Sequence, residues 1–177
     1  MPHPKLSEAQ IRQLTSWVAT YISQQRESFH GKAAAIEPAH KVTLQPFFPA
    51  PVLDGVRVVR GRASEPAFYP QLRGMGIMNA PPFSDMAGIT FQDVVVHAEP
   101  LTQPLLFHEL VHAVQYSHLG LQGFAENYVR GFLSGGSYEE IPLEKQAYEL
   151  EGRFASNPAE QFSVDADVCQ RLKSRQL

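Results

Sequence analysis

Five residues, His108-Glu109-Leu110-Val111-His112, constrain this chain more than any other feature in it. They lie inside a strongly helical stretch, Leu105 to Leu119. Positions four apart on a helix nearly eclipse, so both imidazoles leave one face about a turn, roughly 6 Å, apart. That spacing lets two ring nitrogens reach one zinc ion at about 2.0–2.1 Å each. Glu109, beside the first histidine, is placed to take a proton from water that the metal activates. The surrounding helix is apolar nearly all round (Leu105, Leu106, Phe107, Leu110, Val111, Val114), which is the pattern of a buried helix. Two histidines and a glutamate buried there need partners, and a metal is the economical one.

The rest of the chain sets the frame. Its 177 residues suit one domain with a proper core. A net charge of −3 points to neither nucleic acid nor an acidic membrane surface. No run approaches the ~18 apolar residues of a membrane span. Met1-Pro2-His3-Pro4-Lys5 leads into an amphipathic helix rather than an apolar signal segment, so a cytoplasmic location is expected, with export by a signal-less route also compatible. Cys169 is the one cysteine, so no intrachain disulfide forms.

Fourteen prolines punctuate the chain into short elements. Ser7-Glu8-Ala9-Gln10 is a capping box, and helical spacing from Leu6 continues to about Gln25. Gln45 to Pro51 reads as a packed, irregular connection. Val56 to Arg60 reads as a strand, and Ile89 to His97 as the best strand of the chain. Thr102 is the expected N-cap of the histidine helix, and Gly120 its end. A third helix is expected over Phe124 to Leu133, stopped by Gly135-Gly136, and a fourth from Pro142 to about Ala155. Asn157-Pro158 resembles the start of a last helical segment.

A catalytic zinc usually has three protein ligands and an open position. Two candidates compete for the third. His118 lies six residues after His112, the metzincin spacing, but Gln115 stands where that motif has its helix-breaking glycine. If the helix continues, His118 points about 240° away from His112. That motif also needs a downstream methionine, and the last one here is Met86. The other candidate is a glutamate of the fourth helix, the gluzincin arrangement. Its apolar stripe is Leu143, Ala147, Leu150 and Phe154, flanked by Glu144 and Glu151, with Glu149 on the opposite side. Glu144 is the preferred ligand: it sits in the first turn, favoured by the helix dipole, and Ala147 one turn on leaves room for a metal.

With these residues in hand, Ile89 to Tyr116 resembles the short metallopeptidase-like domains found beside bacterial contractile injection systems and polymorphic toxins. Their usual form is a strand, a short loop, then Leu-Leu-x-His-Glu-x-x-His-x-x-Gln; here the helix reads Leu105-Leu106-Phe107-His108-Glu109-Leu110-Val111-His112-Ala113-Val114-Gln115. Leu53 to Val58 is similar to the start of such a domain, and Ile141 to Tyr148 to the Glu-x-x-Ala segment of gluzincins. The resemblance covers about residues 53–155. It implies His108, His112 and Glu144 as zinc ligands and Glu109 as general base.

A hydrolytic zinc site also needs a donor for the oxyanion. Tyr138 is the preferred candidate, with Tyr128, Tyr148, Arg130 and Arg153 as alternatives. His97 ends a strand near the helix, and Cys169 with Asp165 and Asp167 is a candidate cover for the metal. The expected fold is α+β: a small, partly antiparallel sheet beside a buried active-site helix, a minimal zincin-like form. It divides into an N-terminal helix and connection (1–52), a core (53–155) and a C-terminal helical segment (156–177). The expected function is a zinc-dependent peptidase acting on extended peptide, with the Ile89–His97 edge along the cleft. The competing expectation is a latent or non-catalytic metal-stabilised module.

Overall fold

The computed structural model describes residues 4–135 and 137–174. The Met1–His3 lead-in and Gly136 of the expected Gly135-Gly136 stop lie outside them. Helix α1 (Glu8–His30) opens with the capping box: Gln10 N donates to Ser7 Oγ at 3.3 Å, and Ser7 N to Gln10 Oε1 at 2.8 Å. It runs five residues beyond the expected Gln25. Strand β1 (Ala34–Ala35), helices α2 (Pro38–Leu44) and α3 (Ala50–Gly55), strand β2 (Arg57–Arg60) and helix α4 (Tyr69–Gly74) follow. A single 3₁₀ turn, Phe83–Asp85, precedes strands β3 (Gly88–Phe91) and β4 (Val94–His97). Helices α5 (Gln103–Gly135), α6 (Pro142–Ser156) and α7 (Val164–Lys173) complete the described chain.

The stretch Ile89 to His97, expected as one strand, is a hairpin. The chain reverses at Gln92-Asp93, with Gln92 at φ 61°. A two-residue hairpin turn needs positive φ, which usually selects Asn-Gly or Asp-Gly, so the turn carries none of its usual sequence signal. Arg26 of α1 grips the Asp93 carboxylate with two hydrogen bonds, one of them 2.8 Å long, and holds the turn in place. The sheet order is β1-β2-β4-β3; β2 and β4 are parallel, and the other two pairs antiparallel. β4 is therefore interior, covered by β2 on one side, while β3 is the outer strand. Half of the segment expected as an edge is not one.

Alternation along β4 builds two cores. Val94 and Val96 face Leu14, Tyr21, Ile22, Phe124 and Val129; Val95 faces the other way, toward Leu106, Leu110, Val111 and Ala147. Each such buried side chain contributes about 1.5–3 kcal/mol relative to exposure. The second core is tightened by Phe47, Phe107 and Phe154, with the last two stacked at 4.5 Å between centroids. This explains the Gln45–Pro51 connection, whose phenylalanines are buried against α5 between two short helices.

Thr102 caps α5, accepting from Leu105 N at 3.3 Å. Gly120, expected to end this helix, breaks it instead: at φ 66° and ψ 174° it offsets the two halves, and helix resumes at once. That left-handed φ is one glycine adopts without strain. The expected third helix is the second half of α5. The last helix starts later than expected. Asn157 closes α6, and Ser163 caps α7 by accepting from Ala166 N at 3.1 Å, while Phe162 anchors the intervening loop in the aromatic cluster.

No helix among the described residues is long and apolar enough to cross a membrane.

Candidate metal centre

The first half of α5 is buried on every side between the sheet, α6 and α7, and α6 presents its first turns to it. His108, Glu109, His112 and Glu144 are 5%, 3%, 5% and 3% exposed. Three of them converge. His108 Nε2 and His112 Nε2 are 3.2 Å apart, and Glu144 Oε2 lies 3.4 Å from the first and 3.3 Å from the second. This buried group can hold a metal ion. A tetrahedral ion with bonds of about 2.0–2.1 Å has ligand–ligand edges of about 3.3–3.4 Å, and the observed triangle matches them.

The orientation of each ring supports the same conclusion. His108 Nδ1 lies 3.0 Å from Glu151 Oε2, and His112 Nδ1 lies 2.8 Å from Gln115 Oε1. Both partners are acceptors, so each Nδ1 carries a proton and each Nε2 is the nitrogen turned inward, to coordinate once a metal has displaced any proton it holds. Glu144 Oε2 is buried without a hydrogen-bond partner among the described residues. Two imidazole nitrogens and a carboxylate oxygen thus converge on one point. The protonation energetics agree. Burial opposes charge on His108, yet the Glu144 and Glu151 carboxylates outweigh it and push its pKa up to about 10. Burial likewise opposes charge on Glu144, but His112 and His108 hold its carboxyl down at about 2. The cluster favours positive charge at its centre.

Glu109 leaves the same helix toward β3. Burial raises its pKa, against the pull of His108 and His112. Thr90 Oγ1 donates to Glu109 Oε2 at 2.7 Å, which fixes one carboxylate oxygen. Gly88 makes room for the other: a Cβ there would stand 2.6 Å from Glu109 Oε1. A cavity of about 40 Å³ adjoins Glu109, His112 and Glu144, walled by β3, by Tyr116, Phe124, Tyr128 and Tyr138, by α1, and by Phe83 and Met86. Tyr138 stands in this wall with its hydroxyl toward Glu144; burial and that carboxylate raise its pKa well above the ordinary value.

The remaining candidates fall elsewhere. His118 pairs with Asp165 at 2.8 Å on the surface. Glu149 pairs with Arg171 at 2.6 Å, and Arg130 with Glu8 and Glu126. Arg153 pairs with Glu160 and caps the Phe162 ring at 4.1 Å. His97 Nδ1 meets Glu99 O at 2.7 Å at the strand end. Cys169 is half-buried in α7, while Asp165 and Asp167 are engaged with His118 and with Gln146 and Arg171. They do not cover the metal group. Tyr148 lies against His108, ring centroids 4.5 Å apart, at the exposed rim.

Four positions that the structure brings to this group escaped the sequence reading or were given other roles there: Gly88, Thr90, Gln115 and Gln146. Gln115 was legible as a polar residue three positions after His112 in a helix otherwise apolar, which demands a buried partner. Gln146 had a weaker signal, an uncharged amide near an apolar stripe. Gly88 and Thr90 carried none, because their role depends on where β3 lands. Glu151, weighed as a ligand, is instead the partner that orients His108.

Comparisons with protein-family models, with curated proteins and with solved structures each found no match.

Proposed function

We propose that this protein is a zinc-dependent peptidase of the gluzincin type on a minimal zincin-like fold, with His108, His112 and Glu144 as ligands. The observation that carries the reading is the triangle of inward-facing donors with edges of 3.2, 3.3 and 3.4 Å around an unpartnered carboxylate oxygen. Two imidazoles and one carboxylate are the donor set of a catalytic zinc, whereas a structural zinc is closed by four ligands, often cysteines. Zinc, when bound, supplies a Lewis acid that acidifies water and polarises a carbonyl.

The chain's own residues do the rest. Glu109 takes a proton from the attacking water and returns it to the leaving amine; a pKa raised by burial makes its carboxylate a better base. Thr90 holds Oε2, and Gly88 leaves Oε1 free to meet that water. Tyr138 keeps its proton and serves as the donor to the oxyanion from the cavity wall. An extended peptide pairs along the outer edge of β3, the strand that touches Glu109.

A second reading is favoured by one observation. A cavity of about 40 Å³ admits a few waters but no peptide, with Phe83 and Met86 in its wall. The chain then is a latent form that binds zinc and cleaves nothing until that wall opens. Zinc analysis and a peptide-library digest separate the two. The peptidase reading expects cleavage by the intact chain, abolished in Glu109→Gln with zinc retained. The latent reading expects zinc without cleavage, with cleavage appearing in a Phe83→Ala, Met86→Ala variant. Absence of zinc sinks both.

A further inference from the structure

Gln115 and Gln146 are both fully buried. They form a chain that starts at the metal group and ends on another helix. His112 Nδ1 faces Gln115 Oε1 at 2.8 Å; Gln115 Nε2 donates to Gln146 Oε1 at 3.0 Å and to Leu143 O at 3.0 Å; Gln146 Nε2 donates to Asp167 Oδ1 at 2.7 Å. A pair of amides by itself runs equally well in either direction, since each has a donor end and an acceptor end. This chain has a direction because two acceptors that cannot donate fix it, Asp167 Oδ1 at its far end and Leu143 O beside Gln115. A carboxylate at Asp167 requires the Gln146 NH₂, so Gln146 must turn its oxygen to Gln115. The Leu143 carbonyl, also an acceptor, requires the Gln115 NH₂, so Gln115 turns its oxygen to His112. His112 must then carry a proton on Nδ1, which leaves Nε2 as the nitrogen that can coordinate a metal. Arg171 Nε lies 3.0 Å from the same Asp167 Oδ1 and keeps that oxygen aimed.

We propose that Asp167 on α7 is a positioning residue for the metal centre: it turns the Gln146 oxygen toward Gln115 and so reinforces, together with the Leu143 carbonyl, the Gln115 orientation that sets the metal-ready tautomer of His112. The proposal rests on the zinc reading above. It gives α7 a role in metal binding although no α7 side chain belongs to the metal-binding group. The bland alternative is that Asp167 only fastens α7 to α6.

The test uses the full chain and zinc competition against a chromogenic chelator, with circular dichroism to show that each variant is folded. Gln115→Leu removes the group that meets His112 and should weaken zinc binding about 10–100-fold, as loss of a ligand's hydrogen-bond partner does. Gln146→Leu and Asp167→Leu, which act at a distance, should each weaken it about three- to tenfold. The double variant should be no worse than Gln146→Leu alone, because both break one chain. Asp167→Asn keeps an acceptor facing two donors and should restore affinity to within about twofold of wild type. In ¹⁵N-histidine-labelled protein, the His112 Nδ1–H proton should exchange faster with solvent in Asp167→Leu and remain protected in Asp167→Asn. A folded Asp167→Leu with wild-type affinity and an unchanged Nδ1–H proton overturns the proposal, as do additive losses in the double variant. If the wild type takes up no zinc, the peptidase reading fails. The chain is then judged in metal-free protein by the same proton, and its unchanged exchange in Asp167→Leu overturns the inference.

Discussion

The two histidines of the metal group are equivalent in the motif and unlike in their surroundings. His112 lies on the inner side, where its Nδ1 meets an amide chain buried to zero exposure and continued to α7. His108 lies on the outer side, where its Nδ1 meets Glu151, a carboxylate 27% exposed, and its ring touches the half-exposed Tyr148. A buried neutral partner holds its ligand through geometry that water cannot replace. A carboxylate near solvent adds charge, but water can stand in when it is lost. The helix repeat places the two histidines together; the packing around them decides how firmly each is held.

The largest expected effect would break the comparison at its root. Glu109→Gln should leave zinc bound and lower peptide hydrolysis by about 10²–10⁴-fold, because it removes the base and spares both sides of the ligand set. Steady-state rates with matched metal content check this; equal rates would mean that Glu109 is not the base. Next, Glu144→Ala should cause a steep loss of zinc affinity, whereas His118→Ala should cause none, since His118 is a surface partner of Asp165. The reverse result would mean that the third ligand was misassigned.

A smaller contrast sharpens the comparison itself. Gln115→Leu on the inner side should weaken zinc binding about 10–100-fold, and Glu151→Gln on the outer side should weaken it less, since Gln still offers an acceptor at a wet position. Equal losses would remove the distinction between the two sides. The smallest effect is a slope. In the metal-free protein His108 holds a proton up to a pKa of about 10, and zinc must displace it. Zinc affinity should therefore rise by about tenfold per pH unit from pH 6 to 8 for each proton displaced, and fall as pH drops. Isothermal titration in buffers of different ionisation enthalpy counts the protons released; none released contradicts the assignment.

The parts of this molecule legible in the sequence are those that one helix decides alone. The spacing of His108 and His112, and the place of Glu144 beside the Leu143–Ala147–Leu150–Phe154 stripe, follow from 3.6 residues per turn. The capping box at Ser7 and the cap at Thr102 are equally local. The Gln92-Asp93 turn was not legible, because a residue of unremarkable turn propensity is held at positive φ next to an aspartate fixed by Arg26 of α1. Helices α2, α3 and α4, six or seven residues each, are too short to show a period. The roles of Gly88, Thr90 and Asp167 were hidden for a related reason: each depends on how two or three elements meet, and no single stretch of sequence carries that information.

Elemental analysis of the metal-purified protein, wild type beside a His108→Ala, His112→Ala double variant, tests the central claim most directly. One zinc per chain in the wild type and none in the folded double variant is the predicted result. Full zinc occupancy in that double variant would contradict it.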